Sequence, residues 1–332
     1  MQNARGAPRS DRNQHYLEGC CAMPVKVGYL LPTREQIMQG KPDAAPLLTL
    51  AERAEGAGLD SVWVGDSLLA RPRHEPLTLL AGVAGRVPRV ELGTAVLLPA
   101  LRNPVILAHL VATLDQVSEG RFIMGVGIAT DVPNIRAEFE AAGVPFEKRV
   151  GRMMEGLRLC KAFWTGDPVD WDGRWKVENS VLGPTPHRPG GPPIWGGGSA
   201  EASLTRAGKQ FDGWFPTGPD AAGWGKQWAT VCDAAEAAGR GGKVTGAVYL
   251  TASIDDDADK ANGMINKYLE NYYGQPAEVL RRRQACFAGP EAEFLPWLKG
   301  YVNAGASHLM VRVVGDHESH IGVLAKARES LN

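Results

Sequence analysis

The chain has 332 residues, of which 44% are hydrophobic and 22% charged, and its formal net charge at pH 7 is -1. These proportions are typical of a soluble globular protein, and the interspersed charges give no indication of a nucleic-acid or membrane partner. The five cysteines have neither metal-ligand nor redox spacing, so we expect a reducing, cytoplasmic compartment and no bound metal.

The first 23 residues differ in character from the rest. They carry Arg5, Arg9, Asp11 and Arg12 but no apolar stretch, so they do not match a signal peptide. We interpret them as a disordered extension before a single folded domain over residues 24–332. No apolar run reaches the roughly 20 residues needed to cross a bilayer.

Short apolar runs alternate with helix-forming segments along the first part of the chain. The predicted strands are 25–31, 61–64, 90–96 and 122–127, and the predicted helices between them are 43–58, 75–87 and 104–118. Pro104 lies at the predicted start of the third helix, where proline is favoured. Four strands and three helices therefore alternate before residue 128.

Residues 128–192 interrupt this alternation with a polar loop, a long helix over 147–164 and a hairpin at Asp172-Gly173. Strands then follow at 193–195, 213–215, 244–254 and 308–313. The predicted helices of this part are 200–207, 221–238, 257–273, 276–287, 290–304 and 317–330.

Eight short strands, each followed by a helix, predict one (β/α)8 barrel of the TIM type with an insertion over 128–192. An open doubly wound sheet is the structural alternative. Against it, the first strand-to-helix turn is Leu31-Pro32-Thr33-Arg34, which lacks the glycine cluster of a dinucleotide-binding fold.

A glycine-rich turn follows the fifth predicted strand as Gly196-Gly197-Gly198-Ser199. Glycines let the backbone approach a ligand closely, and the free N–H groups of a first helical turn attract an anion. We therefore expect a phosphate here, with Ser199 as both N-cap and hydroxyl donor. An ordinary strand-to-helix loop is the alternative.

The C-terminal ends of the strands form the reactive face of such a barrel. The residues at these ends are Leu31, Asp66, Leu97, Ala129, Gly196, Pro216, Ile254 and Gly315. Only Asp66 is charged, and no lysine or metal-binding cluster is placed for catalysis. A mouth of this composition, with tryptophans nearby, suits a flat ring cofactor that brings its own reactivity.

Four segments in order along the chain carry a resemblance to a known family. They are 61–66 (SVWVGD), 92–98 (LGTAVLL) with 102–104 (RNP), 114–122 (LDQVSEGRF) and 195–199 (WGGGS). Over residues 24–330 the chain resembles the bacterial-luciferase-like superfamily of flavin- and deazaflavin-dependent oxidoreductases. The resemblance implies a barrel of the kind predicted above.

The resemblance also implies how a ring cofactor is held. A non-prolyl cis peptide at Ala95-Val96 would support the ring, and Gly197-Gly198-Ser199 would bind the cofactor phosphate. Further cofactor contacts would come from Gly127, Ala129, Trp195, Gly196 and Trp214. Packing in the core is the alternative for Trp195 and Trp214.

The catalytic residues that the resemblance implies are Asp66 and its neighbour. Asp66 would face the ring edge or the substrate, with helix capping or loop anchoring as the alternative. Many relatives have a histidine next, but this chain has Ser67, which cannot act as a general base at its ordinary pKa. Proton transfer therefore comes from another group, or the reaction needs none.

Other charged residues lie near the predicted mouth. Arg136 and Glu138 resemble a lid above the fourth strand. Arg149 and Arg152 are placed to reach a phosphate or an acidic substrate, although solvated helix-face charges are the commoner case. A structural role is favoured for His109, inside a helix, and for His308, His317 and His320 around the last strand, while His74 lies in a loop after an early strand.

The sequence thus predicts a two-component monooxygenase that uses reduced FMN, from a separate flavin reductase, and oxygen on a small organic substrate. A deazaflavin-dependent hydride transfer is the close alternative. Others are a non-catalytic flavin-binding protein and a glycosidase using Asp66 and Asp316. Family members commonly dimerise through the helices predicted at 75–87 and 104–118, so we expect a homodimer.

Overall fold

A computed structural model describes residues 24–332, and the extension predicted over residues 1–23 lies outside the described residues. The strands are β1 (Lys26–Leu30), β2 (Ser61–Val64), β3 (Glu91–Thr94), β4 (Phe122–Val126), β5 (Val169–Asp172), β6 (Lys176–Ser180), β7 (Ile194–Gly196), β8 (Gly213–Trp214), β9 (Thr245–Ile254), β10 (Cys286–Gly289) and β11 (His308–Val313).

The helices surround these strands. They are α1 (Glu35–Met38), α2 (Ala45–Gly56), α3 (Pro76–Ala84), α4 (Pro104–Val117), α5 (Pro133–Ala141), α6 (Arg149–Phe163), α7 (Glu201–Gln210), α8 (Ala221–Ala237), α9 (Ala258–Tyr273), α10 (Ala277–Arg281), α11 (Glu291–Asn303) and α12 (His317–Ser330). Among the helices of residues 24–332, none combines the length and apolar character needed to cross a membrane.

Eight of the strands form a closed parallel barrel in the order β1, β2, β3, β4, β7, β8, β9 and β11. The pairing of β8 with β9 and of β11 with β1 completes the ring. The predicted (β/α)8 barrel is confirmed, and the predicted insertion between β4 and β7 holds α5, α6 and the β5–β6 hairpin.

β10 is a strand that the sequence analysis placed in a helix over 276–287. It runs parallel to residues 251–254 of β9, and the Thr251 N–H donates to the Ala285 carbonyl at 2.9 Å. β9 extends well beyond the short strand β8, so its far end needs another backbone partner. β10 supplies that partner, which corrects the prediction.

Large aromatic rings close the barrel interior below its mouth, the face at the C-terminal ends of the strands. Trp63, Trp195 and Phe215 lie there, all nearly inaccessible to solvent. A β carbon at Gly93 would lie 2.1 Å from the Trp63 ring, and one at Gly213 would lie 2.6 Å from the Trp195 ring. Glycine at these positions makes room for the tryptophans, and the interior is a packed core rather than a channel.

Candidate active site

The β3 strand ends in a bulge at the mouth of the barrel. The Ala95–Val96 peptide bond is cis, as the sequence predicted. On one side of it the Ala95 N–H donates to the Val64 carbonyl at 2.7 Å, and beyond it the Leu97 N–H donates to the Gly125 carbonyl at 2.7 Å. Hydrogen bonds to both neighbouring strands therefore fix the position of Val96.

Glycines of the next strands flank Val96. A β carbon at Gly127 would lie 2.5 Å from the Val96 side chain, whereas one at Gly197 would lie 3.9 Å from it. Ala129, just after β4, has a φ of 60°, a left-handed conformation that is uncommon for a residue with a β carbon. Small residues thus leave a low surface around Val96 on which a planar ring can rest.

The glycine-rich turn opens α7 without a side-chain cap. Gly198 has a φ of 102°, and its carbonyl accepts a hydrogen bond of 3.0 Å from Trp214 Nε1. Ala200 is the N-cap residue, and no side chain caps the first turn. The N-cap role predicted for Ser199 is therefore corrected, since Ser199 precedes the cap. The Ser203 N–H donates to the Ala200 carbonyl at 2.7 Å, and the amides of Glu201 and Ala202 are left available for an anion.

Both tryptophans predicted to contact a ring belong to packed layers. Trp214 is fully buried, with its ring 5.4 Å from Trp224 and 6.2 Å from Trp228, both on α8. Trp195 lies inside the barrel, with its ring 5.5 Å from that of Trp63. The predicted ring contacts are corrected to core packing because one side chain points outward and the other lies below the mouth.

Gly196 also faces away from the mouth. A β carbon at this position would lie 2.2 Å from the Phe211 ring, and the Gly196 carbonyl accepts a bond of 3.1 Å from the Phe215 N–H. The absence of a side chain lets Phe211 pack closely against the barrel. The cofactor contact predicted for Gly196 is corrected to a packing role.

Asp66 anchors the segment that follows the cis peptide. Its Oδ2 accepts from the Leu98 N–H at 2.9 Å and from Arg102 Nη1 at 2.5 Å, while Oδ1 accepts from Arg102 Nη2 at 3.2 Å. The Asp66 side chain is only 4% exposed. Burial opposes the charge of Arg102, yet Asp66 raises the Arg102 pKa above its ordinary value. The catalytic role predicted for Asp66 is corrected to loop anchoring, the alternative considered from the sequence.

Ser67 and Glu138 hold the loop after β2. Ser67 Oγ donates to Glu138 Oε2 at 2.8 Å and accepts from the Arg71 N–H at 2.9 Å. The buried Glu138 also accepts from the N–H groups of Leu69 and Ala70, at 2.6 and 2.7 Å. Glu138 is thus a buried anchor rather than part of a lid, and the structure gives Ser67 no free hydroxyl for catalysis.

Arg136, the other predicted lid residue, forms ion pairs at the surface. Its guanidinium lies 2.6 Å from Asp131 and 2.8 Å from Glu147, and its side chain is 47% exposed. Hydrogen bonds to these two carboxylates raise the pKa of Arg136. These pairs engage Arg136 at the surface, and its role in a lid stays a prediction.

Arg149 and Arg152 support loops of the mouth from outside. Arg149 Nε donates to the Ile128 carbonyl at 2.8 Å, and Arg152 Nε donates to the Ala100 carbonyl at 2.9 Å. The Arg152 guanidinium also stacks on the Trp175 ring of the hairpin, 4.9 Å from its centroid. These contacts give Arg152 a role in loop support, and the predicted ligand contact stays a prediction.

The histidines near β11 are engaged in structural hydrogen bonds. His308 lies at the opposite end of the barrel, and burial lowers its pKa to about 3, so it is neutral at physiological pH. His320 Nε2 accepts from the Ile254 N–H at 3.0 Å. His317 Nδ1 lies 2.7 Å from the Tyr29 hydroxyl, and burial lowers the His317 pKa as well.

The most polar part of the mouth centres on Arg312 of β11, a residue that the sequence did not single out. This side chain is 2% exposed. It donates to Tyr273 Oη at 2.9 Å, to Thr251 Oγ1 at 2.8 Å and to Gln284 Oε1 at 2.8 Å. The available signal was its inward position on β11, two residues after Met310, which faces the interior.

Two more arginines reach this region from loops. Arg34, after β1, lies with its guanidinium carbon 4.6 Å from the centroid of the Tyr272 ring. Arg71, after β2, lies 4.8 Å from that of Tyr273. Both tyrosines belong to the last turn of α9, so two loops and one helix meet over the strand ends.

Arg73 completes the group at the inner wall of the mouth. A β carbon at Gly65, directly after β2, would lie 2.1 Å from Arg73 Nη1. The Arg73 guanidinium carbon is 5.6 Å from the Tyr272 ring centroid. We call the group the arginine–tyrosine cluster; its members are Arg34, Arg71, Arg73, Arg312, Tyr249, Tyr268, Tyr272 and Tyr273.

The parallel barrel, the cis bulge after β3 and the uncapped glycine turn after β7 agree with the resemblance drawn from the sequence. The chain belongs to the luciferase-like monooxygenase family, whose sequence model matches residues 25–330. The resemblance found in the sequence is therefore confirmed over nearly all of the described residues.

Curated relatives cover most of the chain. It is 29% identical to the F420-dependent glucose-6-phosphate dehydrogenase of Kineococcus radiotolerans, over 89% of this chain and 93% of that protein. It is 28% identical to the enzyme of the same name from Nocardia farcinica, over 81% of this chain and 88% of that protein.

Solved structures share the fold at lower identity. An F420-dependent secondary alcohol dehydrogenase in complex with an F420-acetone adduct has a TM-score of 0.80 and 20% identity, over 93% of this chain and all of that one. The monooxygenase RslO1 from Streptomyces bottropensis has a TM-score of 0.76 and 21% identity, over 92% of this chain and 98% of that one. At this level of identity, both structures show a shared fold only.

Proposed function

We propose that the protein is a deazaflavin-dependent oxidoreductase that transfers a hydride between coenzyme F420 and a small organic substrate. The observation that carries this proposal is the low surface at Val96 beside the uncapped first turn of α7, which fits a phosphorylated planar ring. The names of the curated relatives favour F420 over FMN, which was the first expectation from the sequence. On this proposal no separate flavin reductase is needed.

The chain's own groups divide the task of holding such a cofactor. Val96, between Gly127 and Gly197, would support the ring, and the first-turn amides of α7 would bind the phosphate. When bound, the deazaflavin supplies a ring carbon that accepts or donates a hydride. The anchored bulge after β3 keeps the supporting surface in place, because Asp66 holds the following backbone.

Oxidation of an alcohol also releases a hydroxyl proton, and Tyr273 Oη is the group we propose to accept it. This half-buried phenol lies at the mouth and accepts a hydrogen bond from Arg312. Burial opposes ionisation of Tyr273, but the charges of Arg312, Arg71 and Arg73 lower its pKa below the ordinary value. A lowered pKa brings a tyrosine closer to the range of a useful general base.

Cofactor titration tests the proposal directly. Purified protein is titrated with F420 and FMN, each oxidised and reduced, and F420 reduction is then followed with glucose 6-phosphate and a panel of alcohols. We expect F420 to bind at least tenfold more tightly, a difference of about 1.4 kcal/mol. Tight FMN binding with oxygen uptake and no F420 reduction would restore the monooxygenase expectation, and binding without turnover would indicate a non-catalytic protein.

We also propose that the protein forms a homodimer through α4. Ile106, Leu110 and Val117 of this helix are 62%, 45% and 48% exposed, which is unusual for large apolar side chains on one helix. Light scattering after gel filtration should give twice the chain mass. Leu110→Glu should shift it to one chain mass, while Val181→Glu, at an exposed apolar residue outside this helix, should not.

A further inference from the structure

We propose that the arginine–tyrosine cluster binds an oxyanion of the substrate, a phosphate ester or a carboxylate, across the mouth from the cofactor. The inference rests on the proposed function for the identity of the bound partner, but its geometry is independent of it. The cluster consists of other side chains than those of the low surface at Val96, which we call the platform, and of the turn before α7.

The cluster carries more positive charge than its own residues neutralise. Within residues 24–332, the four arginines 34, 71, 73 and 312 form no salt bridge with a carboxylate. Glu35 touches the cluster through the hydroxyl of Tyr268. Four guanidinium groups against this one carboxylate leave an excess of three positive charges.

Three of the four tyrosines in the cluster do not compensate for this charge at neutral pH. Burial raises the pKa of Tyr249, Tyr268 and Tyr272, so these phenols are neutral. Burial also lowers the pKa of Arg34, as expected for a cation that has lost water without gaining a counterion. Like charges gathered in a partly dry site are unfavourable unless an anion joins them.

Several donors in the cluster have no acceptor. Arg34 Nε, Arg34 Nη1 and Arg312 Nε are inaccessible to solvent and have no hydrogen-bond partner among the described residues. Unsatisfied buried donors are rare in folded proteins because each costs about 1 to 3 kcal/mol. A phosphate or carboxylate supplies several acceptor oxygens in the planar geometry that guanidinium groups prefer.

The position of the cluster suits a substrate rather than the cofactor phosphate. Its residues follow or belong to β1, β2, β9 and β11, whereas Val96, Gly127 and Gly197 follow β3, β4 and β7. In the closed barrel β1 and β7 are four strands apart in either direction, so the two regions face each other. An anion held by Arg34 and Arg312 therefore lies across the mouth from the turn at Gly198, whereas Arg73, beside Gly65, also borders the β3 bulge.

The test uses inorganic phosphate and acetate as probes, measured by calorimetry on the full chain saturated with whichever of F420 or FMN it binds. Saturation fills the turn before α7, so that a second anion reports on the cluster. We expect phosphate or acetate to bind, and Arg71→Gln and Arg73→Gln each to weaken binding at least tenfold. Arg282→Gln, at a surface arginine 75% exposed, should leave it unchanged.

The two probes distinguish the sources of the oxyanion. Tighter phosphate binding indicates a phosphate ester, and tighter acetate binding a carboxylate; either supports the site. Arg73→Lys serves as a second variant that keeps the charge, and it should retain more binding than Arg73→Gln. Thermal unfolding of each variant shows whether it is folded.

Two results would overturn the inference. One is wild-type anion affinity in folded Arg71→Gln and Arg73→Gln, or no anion binding at all. The other is a tenfold loss of cofactor affinity in these variants with anion binding intact, which would assign the cluster to the cofactor. Failure of F420 to bind or react would contradict the proposed function alone, because the anion measurement needs no turnover.

Discussion

The two halves of the barrel mouth are built from opposite kinds of residue. The half after β3, β4 and β7 presents Val96, glycines and backbone amides. The half around β9, β11, β1 and β2 presents guanidinium and phenol groups, with Arg312 at its centre. Backbone and small side chains make room for a large flat ligand, whereas long polar side chains select a small one by charge and hydrogen bonding.

This contrast suggests a division of labour within one fold. Backbone groups depend little on sequence, so a cofactor-binding half can stay constant while the facing half changes with the substrate. The anchors differ in the same way. Asp66 and Arg102 hold the β3 bulge, while Glu138 and Ser67 hold the loop that carries Arg71 of the arginine–tyrosine cluster.

The largest expected effect comes from the polar half. Tyr273→Phe removes the proposed proton acceptor, and kcat should fall about a hundredfold, as is typical for loss of a general base. The base works when deprotonated, so wild-type kcat should rise with pH through the Tyr273 pKa, which lies below the ordinary value for tyrosine. The variant should lose this rise.

The control for this change is Tyr301→Phe. Tyr301 Oη donates to the Pro219 carbonyl at 3.1 Å, away from the mouth. It should leave both kcat and the pH profile unchanged. A Tyr273→Phe enzyme with full activity and the wild-type profile would show that the proton goes elsewhere.

A change in the glycine half should affect the cofactor instead. Gly197→Val places a branched side chain on the surface beside Val96, and F420 affinity should fall roughly thirtyfold, about 2 kcal/mol. The chain should still fold, because a β carbon there would lie 3.6 Å from its nearest neighbour, an ordinary contact. Fluorescence titration with F420 measures the loss.

Gly322→Val is the matched control for Gly197→Val. A β carbon at Gly322 would meet no atom within 4 Å, so F420 affinity should not change. Anion binding at the cluster should also survive Gly197→Val if the halves act separately. Equal F420 affinity in Gly197→Val and wild type would show that the surface beside Val96 does not bind the cofactor.

Asp66→Asn tests the hydrogen bonds by which Asp66 holds the backbone that follows the β3 bulge. The substitution removes the charge that pairs with Arg102, and we expect about 2 kcal/mol loss of unfolding free energy and a smaller loss of F420 affinity. Urea unfolding gives the first value. Asp172→Asn, at a side chain that is 84% exposed and pairs with Lys176, should change neither the stability nor the F420 affinity. A stable Asp66→Asn protein with kcat lowered a hundredfold would return Asp66 to a catalytic role.

The barrel strands could be predicted because each is a short apolar run, and the cis bulge could be predicted through the family resemblance. It could not predict which way a side chain at a strand end points. Trp195 pairs with Gly213 and Gly196 with Trp214, so one tryptophan faces the interior and the other the outer helices. One residue of register decides this, and the strand ends give no periodicity with which to fix it.

The cluster was missed for a related reason. Its arginines come from two loops and one strand far apart in the chain, and each alone resembles a solvated charge. Arg312 gave the clearest signal, since a charged residue at an inward strand position is costly to bury unless it has partners. Those partners belong to α9 and to the loop between α10 and β10, which only the three-dimensional arrangement brings to β11.

The smallest expected effect on catalysis comes from His308, which lies at the opposite end of the barrel from the mouth. Its Nε2 is 2.7 Å from Ser61 Oγ, and burial lowers its pKa to about 3, against about 6.5 in an unfolded chain. Between these values the unfolded state binds the extra proton, so stability is complete above about pH 6.5 and falls as pH decreases. The loss at pH 5 should be about 2 kcal/mol.

His308→Gln should flatten this dependence in urea unfolding and leave the kcat of the folded enzyme at pH 7 unchanged. A large fall in kcat would instead mean that the opposite end of the barrel takes part in the chemistry. The contrast between the two halves of the mouth would then no longer describe the active site.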